Sequence, residues 1–284
     1  MLFKVKVDTN MSLRVKFWGV RGSIACASLD YMKYGGNTSC IEIQAGEHTF
    51  VLDAGTGIRN FSKAVLERGE YKTHLLISHT HWDHINGFPF FTPAYDPKHS
   101  ITIYAGHLKH QGGVQSVLSA QMHNPMFPVP LEAMQAELEY VDFEAGENFA
   151  LFGDVKIKTA PLNHPNGSTA YRVEHKGKAV VYVTDTEHIV GKPDQNILGL
   201  IEGADLVIYD STYTEEEFPE KIGWGHSTWN EGMNLCQAAN VKKLAIFHHD
   251  PEHTDDFMDR VSEEATKAWS GNFVCRENQE IILD

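Results

Sequence analysis

The chain has 284 residues, and its content of 42% hydrophobic and 22% charged residues is that of a globular protein able to bury a core without disulfide bonds. Its formal net charge of −14 disfavours bulk binding to nucleic acid, because only short mixed runs of basic residues offset it. The four cysteines are scattered without a CxxC pair, which argues against both a disulfide framework and a structural zinc site.

The N-terminal segment MLFKVKVDTNMSLRVKFWG alternates charged and apolar residues and lacks the apolar block that a signal peptide requires. No apolar run elsewhere reaches the length that crosses a membrane. We therefore expect a cytoplasmic protein in a reducing compartment, with no membrane partner.

Short runs rich in β-branched residues, bounded by turn residues, predict strands in two batches. The predicted strands are 13–19, 40–45, 49–53, 73–78, 100–105, 137–143, 154–162, 169–175, 178–185, 204–210 and 242–248. Apolar residues at helical spacing predict helices at 58–69, 107–121, 130–136, 193–202, 228–240 and 254–269. This order predicts β-sheets sandwiched by helices in a single domain over 1–284.

The stretch 106–136 interrupts the succession of strands with a helical and proline-rich excursion that includes MHNPMFPVP. It is either a plain surface excursion or a functional lid or interface, and the sequence favours neither. Exposed aromatic and proline residues around 122–130 are compatible with a homodimer.

The segment SHTHWDHINGFP at 78–89 places three histidines and an aspartate within six residues. An apolar run ends at Ser78, so His79 follows the carboxyl end of a strand, and His81 can point to the same side of an extended loop. Asp83 and His84 come next, as a helix opens. The segment is either a polar turn or part of a site for two cations about 3.5–4 Å apart.

Two cations need more ligands than this segment provides, and further metal-binding residue types follow later strands. His164 follows one predicted strand, Asp185 ends another, and His248 and His249 end a third. A single histidine in such a place is more often structural, but the joint occurrence favours metal ligands that meet at one rim.

These residues resemble the metallo-β-lactamase-fold hydrolases over almost the whole chain, from FWGVRGS to FHHDP. The resemblance implies an α/β (α+β) fold, an αββα sandwich of two mixed β-sheets flanked by helices, with the site at the rim between the sheets. It implies the following ligands: His79, His81 and His164 for one metal, Asp83, His84 and His248 for the other, and Asp185 as the bridge.

His248 is preferred to His249 because it directly ends its strand and lies 22 residues after His226, the separation expected in the phosphodiesterase branch. The presence of His81 is unlike the diiron flavoproteins of the superfamily, which usually have glutamate there. The resemblance implies two divalent metal ions that share a nucleophilic water or hydroxide. The nitrogen-rich ligand set favours zinc, and its oxygen ligands leave manganese or iron open.

Two further segments resemble the phosphodiesterase side of the superfamily. GHSTWNEG at 225–232 is similar to the HST motif of tRNase Z-like enzymes, and VIYDSTY at 207–213 is similar to a nearby acidic motif. The resemblance implies that His226 faces the scissile phosphate, that Asp210 orients it, and that Asp83 belongs with them to the catalytic residues. The alternative for His226 is a histidine that only bonds backbone at the start of a helix.

The segment 18–40 looks like the glycine-rich opening of enzymes related to phosphoribosyl cyclic phosphodiesterases. Here Arg21, Asn37 and Thr38 are candidate contacts to a substrate phosphate, although a tight turn between strands explains the pattern equally well. Asp53 ends a predicted strand, and the resemblance implies that it supports the metal loop without binding metal.

These observations predict a metal-dependent hydrolase, with a phosphodiesterase acting on a small anionic phosphodiester, such as a cyclic nucleotide or cyclic sugar phosphate, as the first hypothesis. A lactonase or thioesterase, a tRNase Z-like nuclease, and a non-enzymatic sensor that retains the fold are the alternatives. The chain lacks the long flexible arm that tRNase Z enzymes use to grip tRNA, and its net charge is negative. Substrate specificity is expected to depend on loops at 106–136 and 212–224.

Overall fold

The computed structural model describes residues 13–284, so most of the N-terminal segment considered for a signal peptide lies outside the described residues. Among the described residues, no helix is long and apolar enough to cross a membrane. The strands within residues 13–284 form two sheets of seven strands each.

The first sheet takes its strands mainly from the first half of the chain: β1 (Leu13–Gly19), β2 (Cys40–Ala45), β3 (His48–Leu52), β4 (Lys72–Ile77), β5 (Ser100–Ala105) and β6 (Glu137–Asp142). The second sheet follows: β7 (Phe149–Leu151), β8 (Val155–Leu162), β9 (Ser168–His175), β10 (Lys178–Val183), β11 (Leu206–Asp210), β12 (Leu244–Phe247) and β13 (Asn272–Val274). The last strand, β14 (Glu280–Leu283), returns to the first sheet and pairs with β1.

Strand direction explains why one edge of the sandwich collects the polar residues. Strands β3 to β6 are parallel neighbours, as are β10 to β13. Strand β8 runs in the same direction as β10, because β9 is antiparallel to both. The residues that follow β3, β4, β8, β10 and β12 therefore emerge at the same end of their respective sheets.

Helices cover the outer faces of both sheets. The helices are α1 (Ile58–Arg68), α2 (Trp82–Ile85), α3 (Gly113–Gln121), α4 (Gln195–Ile201), α5 (Trp229–Ala238) and α6 (Asp255–Ala268). Helix α1 buries Ile58, Phe61 and Val65, a spacing of three and four residues that places one apolar stripe on the sheet. Between the sheets, a separate core includes Tyr182 and Phe247. The predicted αββα sandwich is confirmed.

Some predicted boundaries are wrong. The predicted helix 130–136 is only a 3-10 turn at Leu131–Ala133, because Met134 returns to an extended conformation. The predicted helix 107–121 begins only at Gly113, since both Gly112 and Gly113 have positive φ. The short strands β7, β13 and β14 were absent from the prediction because pairing with a neighbour, more than local composition, defines strands of three or four residues.

Candidate metal centre and active site

The seven candidate ligands, contributed by four separate segments, lie together at the edge between the two sheets. The segment 78–84, named here the metal loop, follows β4, and the remaining ligands follow β8, β10 and β12. The ligand atoms form overlapping groups in which all members lie within 4.8 Å of one another: His79, His81 and His164; His79, His84 and Asp185; and Asp83, His84 and His248.

The first of these groups contains three imidazoles that face a common point. The Nε2 atom of His164 lies 3.0 Å from Nδ1 of His81, and the ring of His79 is 4.7 Å from that of His164 between centroids. Burial lowers the pKa of His79 well below its usual range, so its imidazole is neutral and has a lone pair to offer. Its Nε2 atom is buried and has no hydrogen-bond partner among residues 13–284.

The second group contains Asp83, His84 and His248. The Nε2 atoms of the two histidines are 3.3 Å apart, and Oδ2 of Asp83 lies 3.2 Å from each of them. Two nitrogen atoms and an acid converge here from parts of the chain more than 160 residues apart.

Asp185 lies between the two groups and presents one carboxylate oxygen to each. Its Oδ1 atom is 3.6 Å from Nε2 of both His79 and His164, whereas Oδ2 is 3.1 Å from Nε2 of His84 and 3.4 Å from that of His248. Burial opposes ionisation, but the nearby imidazoles of His248, His84 and His79 hold the pKa of the Asp185 carboxyl well below its usual range. This is the placement expected of a bridging carboxylate.

The arrangement fits divalent metal ions. Among residues 13–284, Nε2 of His79 is buried without a hydrogen-bond partner, and two pairs of imidazole nitrogens face each other at 3.0 and 3.3 Å. Such an arrangement beside an ionised carboxylate costs free energy in an apolar interior unless cations lie between the ligand atoms. Imidazole and carboxylate are ligand types of zinc and of other first-row metals.

The nitrogen atoms that face away from the centre have hydrogen-bond partners. Nδ1 of His84 lies 2.7 Å from Oδ2 of Asp53, a fully buried carboxylate, as expected for a residue that supports the metal loop. Nδ1 of His164 donates to the carbonyl oxygen of Gly225 at 2.7 Å. These bonds select the tautomer in which Nε2 is free to bind a metal. Gly225 begins the motif at 225–232, but this role of its carbonyl was not predicted, because backbone carbonyls leave no sequence signal.

His248, and not His249, belongs to this cluster. The ring of His249 is fully buried elsewhere, where its Nε2 atom bonds the carbonyl oxygen of Cys275 at 2.9 Å. The left-handed backbone of His248, with φ of 63°, turns its side chain inward directly after β12. Asp53, directly after β3, and Asp185, two residues after β10, also have left-handed backbones, with φ of 61° and 56°.

A family model described as a beta-lactamase superfamily domain matches residues 48–249. The chain belongs to the metallo-β-lactamase superfamily. It is thus a metal-dependent hydrolase, whose fold implies bound divalent metal ions.

Relatives and neighbours of this superfamily member match over nearly its full length. The ribonuclease Z of Haloarcula marismortui is 24% identical, over 94% of this chain and 96% of the relative. The short form of human tRNase Z has a TM-score of 0.67 at 18% identity and covers 94% of this chain and 98% of its own. A diphosphatase from the PhnP family has a TM-score of 0.68 at 16% identity, with 96% and 98% covered.

His226 and Asp210 lie beside the metal cluster of this hydrolase. Nδ1 of His226 is 3.0 Å from Oδ2 of Asp210 and 3.7 Å from Oδ1 of Asp185, and its ring stacks on that of His248 with centroids 5.0 Å apart. Burial alone would lower the pKa of His226, but the Asp210 carboxylate and its hydrogen bond raise it to about 9. His226 is thus held by an acid and not only by backbone.

The substrate contacts expected in the segment 18–40 are not supported. Arg21 is fully buried, and its guanidinium donates to the carbonyl oxygens of Gly35, Asp250 and His253 at 2.8 to 2.9 Å. Such a side chain ties loops together, and its Nη2 atom has no hydrogen-bond partner among residues 13–284. These contacts do not favour the expectation that Arg21 binds the substrate phosphate, which stays a prediction.

Asn37 and Thr38 likewise have structural partners. The Asn37 side chain donates to Glu277 at 2.9 Å, while buried Thr38 and Thr56 exchange hydrogen bonds between backbone and hydroxyl, each of 2.9 Å. This segment contributes to the site through the backbone N–H of Ser23, which donates to Oδ2 of Asp83 at 2.8 Å. The alternative interpretation, a tight turn, describes this segment better.

Proposed function

We propose that this hydrolase is a phosphodiesterase that cleaves RNA in the manner of its ribonuclease Z relatives. The observation that carries the proposal is the His226–Asp210 pair, 3.0 Å apart and in contact with Asp185 at the metal cluster. Cleavage of a phosphodiester requires a proton for the departing oxygen. Hydrolysis of an activated lactone depends much less on such a proton donor.

Relatives named ribonuclease Z match 94% and 96% of this chain. Their name conflicts in part with the expectation from net charge that bulk binding to nucleic acid is disfavoured, and it favours the nuclease alternative over a small substrate. A net charge of −14 opposes long-range attraction but leaves room for affinity from metal contacts and from base stacking.

We assign the metal ligands as the sequence predicted: His79, His81 and His164 at one site, Asp83, His84 and His248 at the other, and Asp185 shared. When bound, two divalent ions would supply charge neutralisation at the phosphate and activation of water. Zinc agrees best with the nitrogen-rich set, and manganese or iron would fit its oxygen ligands.

In this proposal, the protein side chains position the substrate and handle the leaving proton. The Asp210 carboxylate keeps a proton on Nδ1 of His226 and fixes the ring, so that Nε2 can face the departing oxygen. The raised pKa of His226 keeps the imidazole protonated at neutral pH, as a general acid requires. Asp83 is held by the Ser23 amide and completes the predicted catalytic set.

A small phosphodiester, such as a cyclic nucleotide or cyclic sugar phosphate, is the second candidate. The net charge of −14 favours it, because a small substrate brings few phosphates to a surface that repels them. A lactone or thioester substrate remains the third, since the same metal ligands serve acyl transfer and only His226 and Asp210 separate the two chemistries.

Metal-reconstituted protein should be offered four substrates in parallel: a precursor tRNA with a 3′ extension, a 2′,3′-cyclic nucleotide, bis(p-nitrophenyl) phosphate and a γ-lactone. We expect cleavage of the RNA, loss of activity with chelator and its return with added metal. Turnover of the cyclic nucleotide alone would select the second candidate. Hydrolysis of the lactone without any phosphodiester would overturn the proposal.

A further inference from the structure

An apolar cavity of about 560 Å³ opens beside the metal loop. One wall comes from the residues after the loop, including Trp82 and Phe90, and the other from α3 and the turn that follows it, including Val117, Met126 and Phe127. The excursion at 106–136 therefore forms a wall of this cavity.

The cavity has an unusual concentration of exposed apolar side chains. Trp82 is 80% exposed, Met126 70% and Phe90 55%, although each is large enough to gain from burial. The rings of Phe90 and Phe127 meet edge to face with centroids 5.7 Å apart, so the aromatic wall is already ordered. Apolar groups gathered in this way on a surface mark a binding site.

This cavity adjoins the metal centre. Thr80 and Val117 line both it and a neighbouring cavity of about 290 Å³ that includes His79 and His81. Trp82 itself lies within the metal loop, one residue after His81. A substrate whose phosphate reacts at the metal centre would therefore place an adjoining group among these aromatic rings.

The chemistry of the cavity selects a flat, neutral group with polar edges. No charged side chain lines it among the residues that the structure describes, so it does not bind a second phosphate. Its polar members are Thr80, Asn86 and Gln121. The Gln121 amide donates to the carbonyl of Ile85 at 2.9 Å, which fixes this polar side chain in the wall of the cavity.

We infer that this cavity binds the nucleobase next to the scissile phosphate, stacked on Trp82 or Phe90. The inference rests on the proposed phosphodiesterase function and adds to it the group that the enzyme recognises. Stacking of a base on an aromatic side chain contributes about 1–3 kcal/mol, which corresponds to roughly 5- to 150-fold in affinity.

A binding experiment tests this without turnover. Calorimetric titration of metal-loaded protein should show that adenosine 5′-monophosphate binds at least about 10-fold more tightly than ribose 5-phosphate, which shares the phosphate but lacks the base. Trp82→Ala and, independently, Phe90→Ala should remove most of this difference. Tyr71→Ala is the matched control, because Tyr71 is a half-exposed aromatic residue before β4, at the opposite end of that strand from the metal loop.

Equal affinities for the two phosphates in the wild-type protein, or an unchanged ratio in both variants, would overturn the inference. Tighter binding of octyl phosphate than of adenosine 5′-monophosphate would assign the cavity to an aliphatic chain instead. In the turnover arm, Trp82→Ala should lower kcat/KM for 2′,3′-cyclic AMP about 10-fold more than kcat/KM for glycerol 1,2-cyclic phosphate, which has no base. If no phosphodiester is cleaved, the proposed function fails, and the binding ratio still decides whether the cavity recognises a base.

Discussion

Asp210 accepts hydrogen bonds on both carboxylate oxygens, and through them it connects His226 to His248. Its Oδ2 atom lies 3.0 Å from Nδ1 of His226, and its Oδ1 atom accepts from the Thr212 hydroxyl at 2.8 Å. The same hydroxyl oxygen lies 2.9 Å from Nδ1 of His248. If Nδ1–H of His248 donates to Thr212 and Thr212 donates to Asp210, Nε2 of His248 is left free for the metal.

Replacing His226 by alanine should slow phosphodiester cleavage by about 10²-fold or more, because it removes the proposed proton donor. Lactone cleavage and metal content should change little, since His226 is not among the assigned ligands. Steady-state kinetics on both substrate types, with elemental analysis of each preparation, provide the measurement. The Asp210→Asn variant should lose less activity and shift the basic limb of the pH–rate profile to lower pH. A variant that loses metal along with activity would mean that His226 is a ligand.

Replacing Thr212 by valine should weaken the metal site that includes His248. Thr212 is 1% exposed, so no water replaces its hydroxyl, and Nδ1 of His248 would lose its acceptor. We expect affinity for the metal at this site to fall about 10- to 100-fold, as measured by competition with a chromogenic chelator. Thr212→Ser keeps the hydroxyl and should restore most of the affinity. Equal weakening in the serine variant would indicate loss of packing instead.

Gly22→Ala tests how closely the segment after β1 packs on the metal centre. A Cβ atom built on Gly22 would lie 2.4 Å from the ring of His248, closer than real contacts allow. We expect displacement of His248, loss of one metal equivalent and loss of activity, with an unchanged far-ultraviolet circular dichroism spectrum. Gly199→Ala in α4 is the control, because its added Cβ has no neighbour within 4 Å. Full metal content in Gly22→Ala would contradict the packing described.

The imidazole of His74 should make the protein sensitive to mild acid. This side chain in β4 is 9% exposed and lies against Phe50 and Tyr104, and burial lowers the pKa of His74 to about 4. Between pH 6.5 and 4, His74 is protonated in the unfolded chain but stays neutral in the folded chain. The free energy of unfolding therefore falls as pH falls. The loss between pH 7 and pH 5 should be about 1–2 kcal/mol.

Urea unfolding of metal-free protein at both pH values measures this loss. His74→Phe should lose about that much less stability on acidification than the wild-type protein, since it has no group to protonate there. The control is His123→Gln, because His123 is exposed, and this variant should lose as much stability on acidification as the wild-type protein. An identical acid dependence in His74→Phe and wild type would contradict the expectation.

Local patterns in the sequence predicted sheets sandwiched by helices and pointed to the histidines and aspartates that the structure brings together, and the family resemblance assigned these residues to two metals. The apolar runs of β4, β10 and β12 define strands by themselves, and a histidine or aspartate within two residues after each must emerge where its strand ends. The spacing of His79, His81 and His84 is local too, because one loop and one short helix carry all three. The hairpin between β9 and β10 follows from Gly177, whose φ of 78° suits the turn.

Only the tertiary structure decided which partners these residues meet. Three sets of contacts join segments far apart in the chain: those of Asp185 with the two ligand groups, of Thr212 with His248, and of His164 with Gly225. In the last of these, the partner of the imidazole is a backbone carbonyl, which any residue could supply. The burial of Arg21 was equally unpredictable, because a cation beside glycines has the same local sequence whether it faces a phosphate or three carbonyl groups. Sequence patterns encode which face of an element is apolar, whereas the packing of whole sheets and loops against one another determines whether a polar group is exposed to substrate or buried.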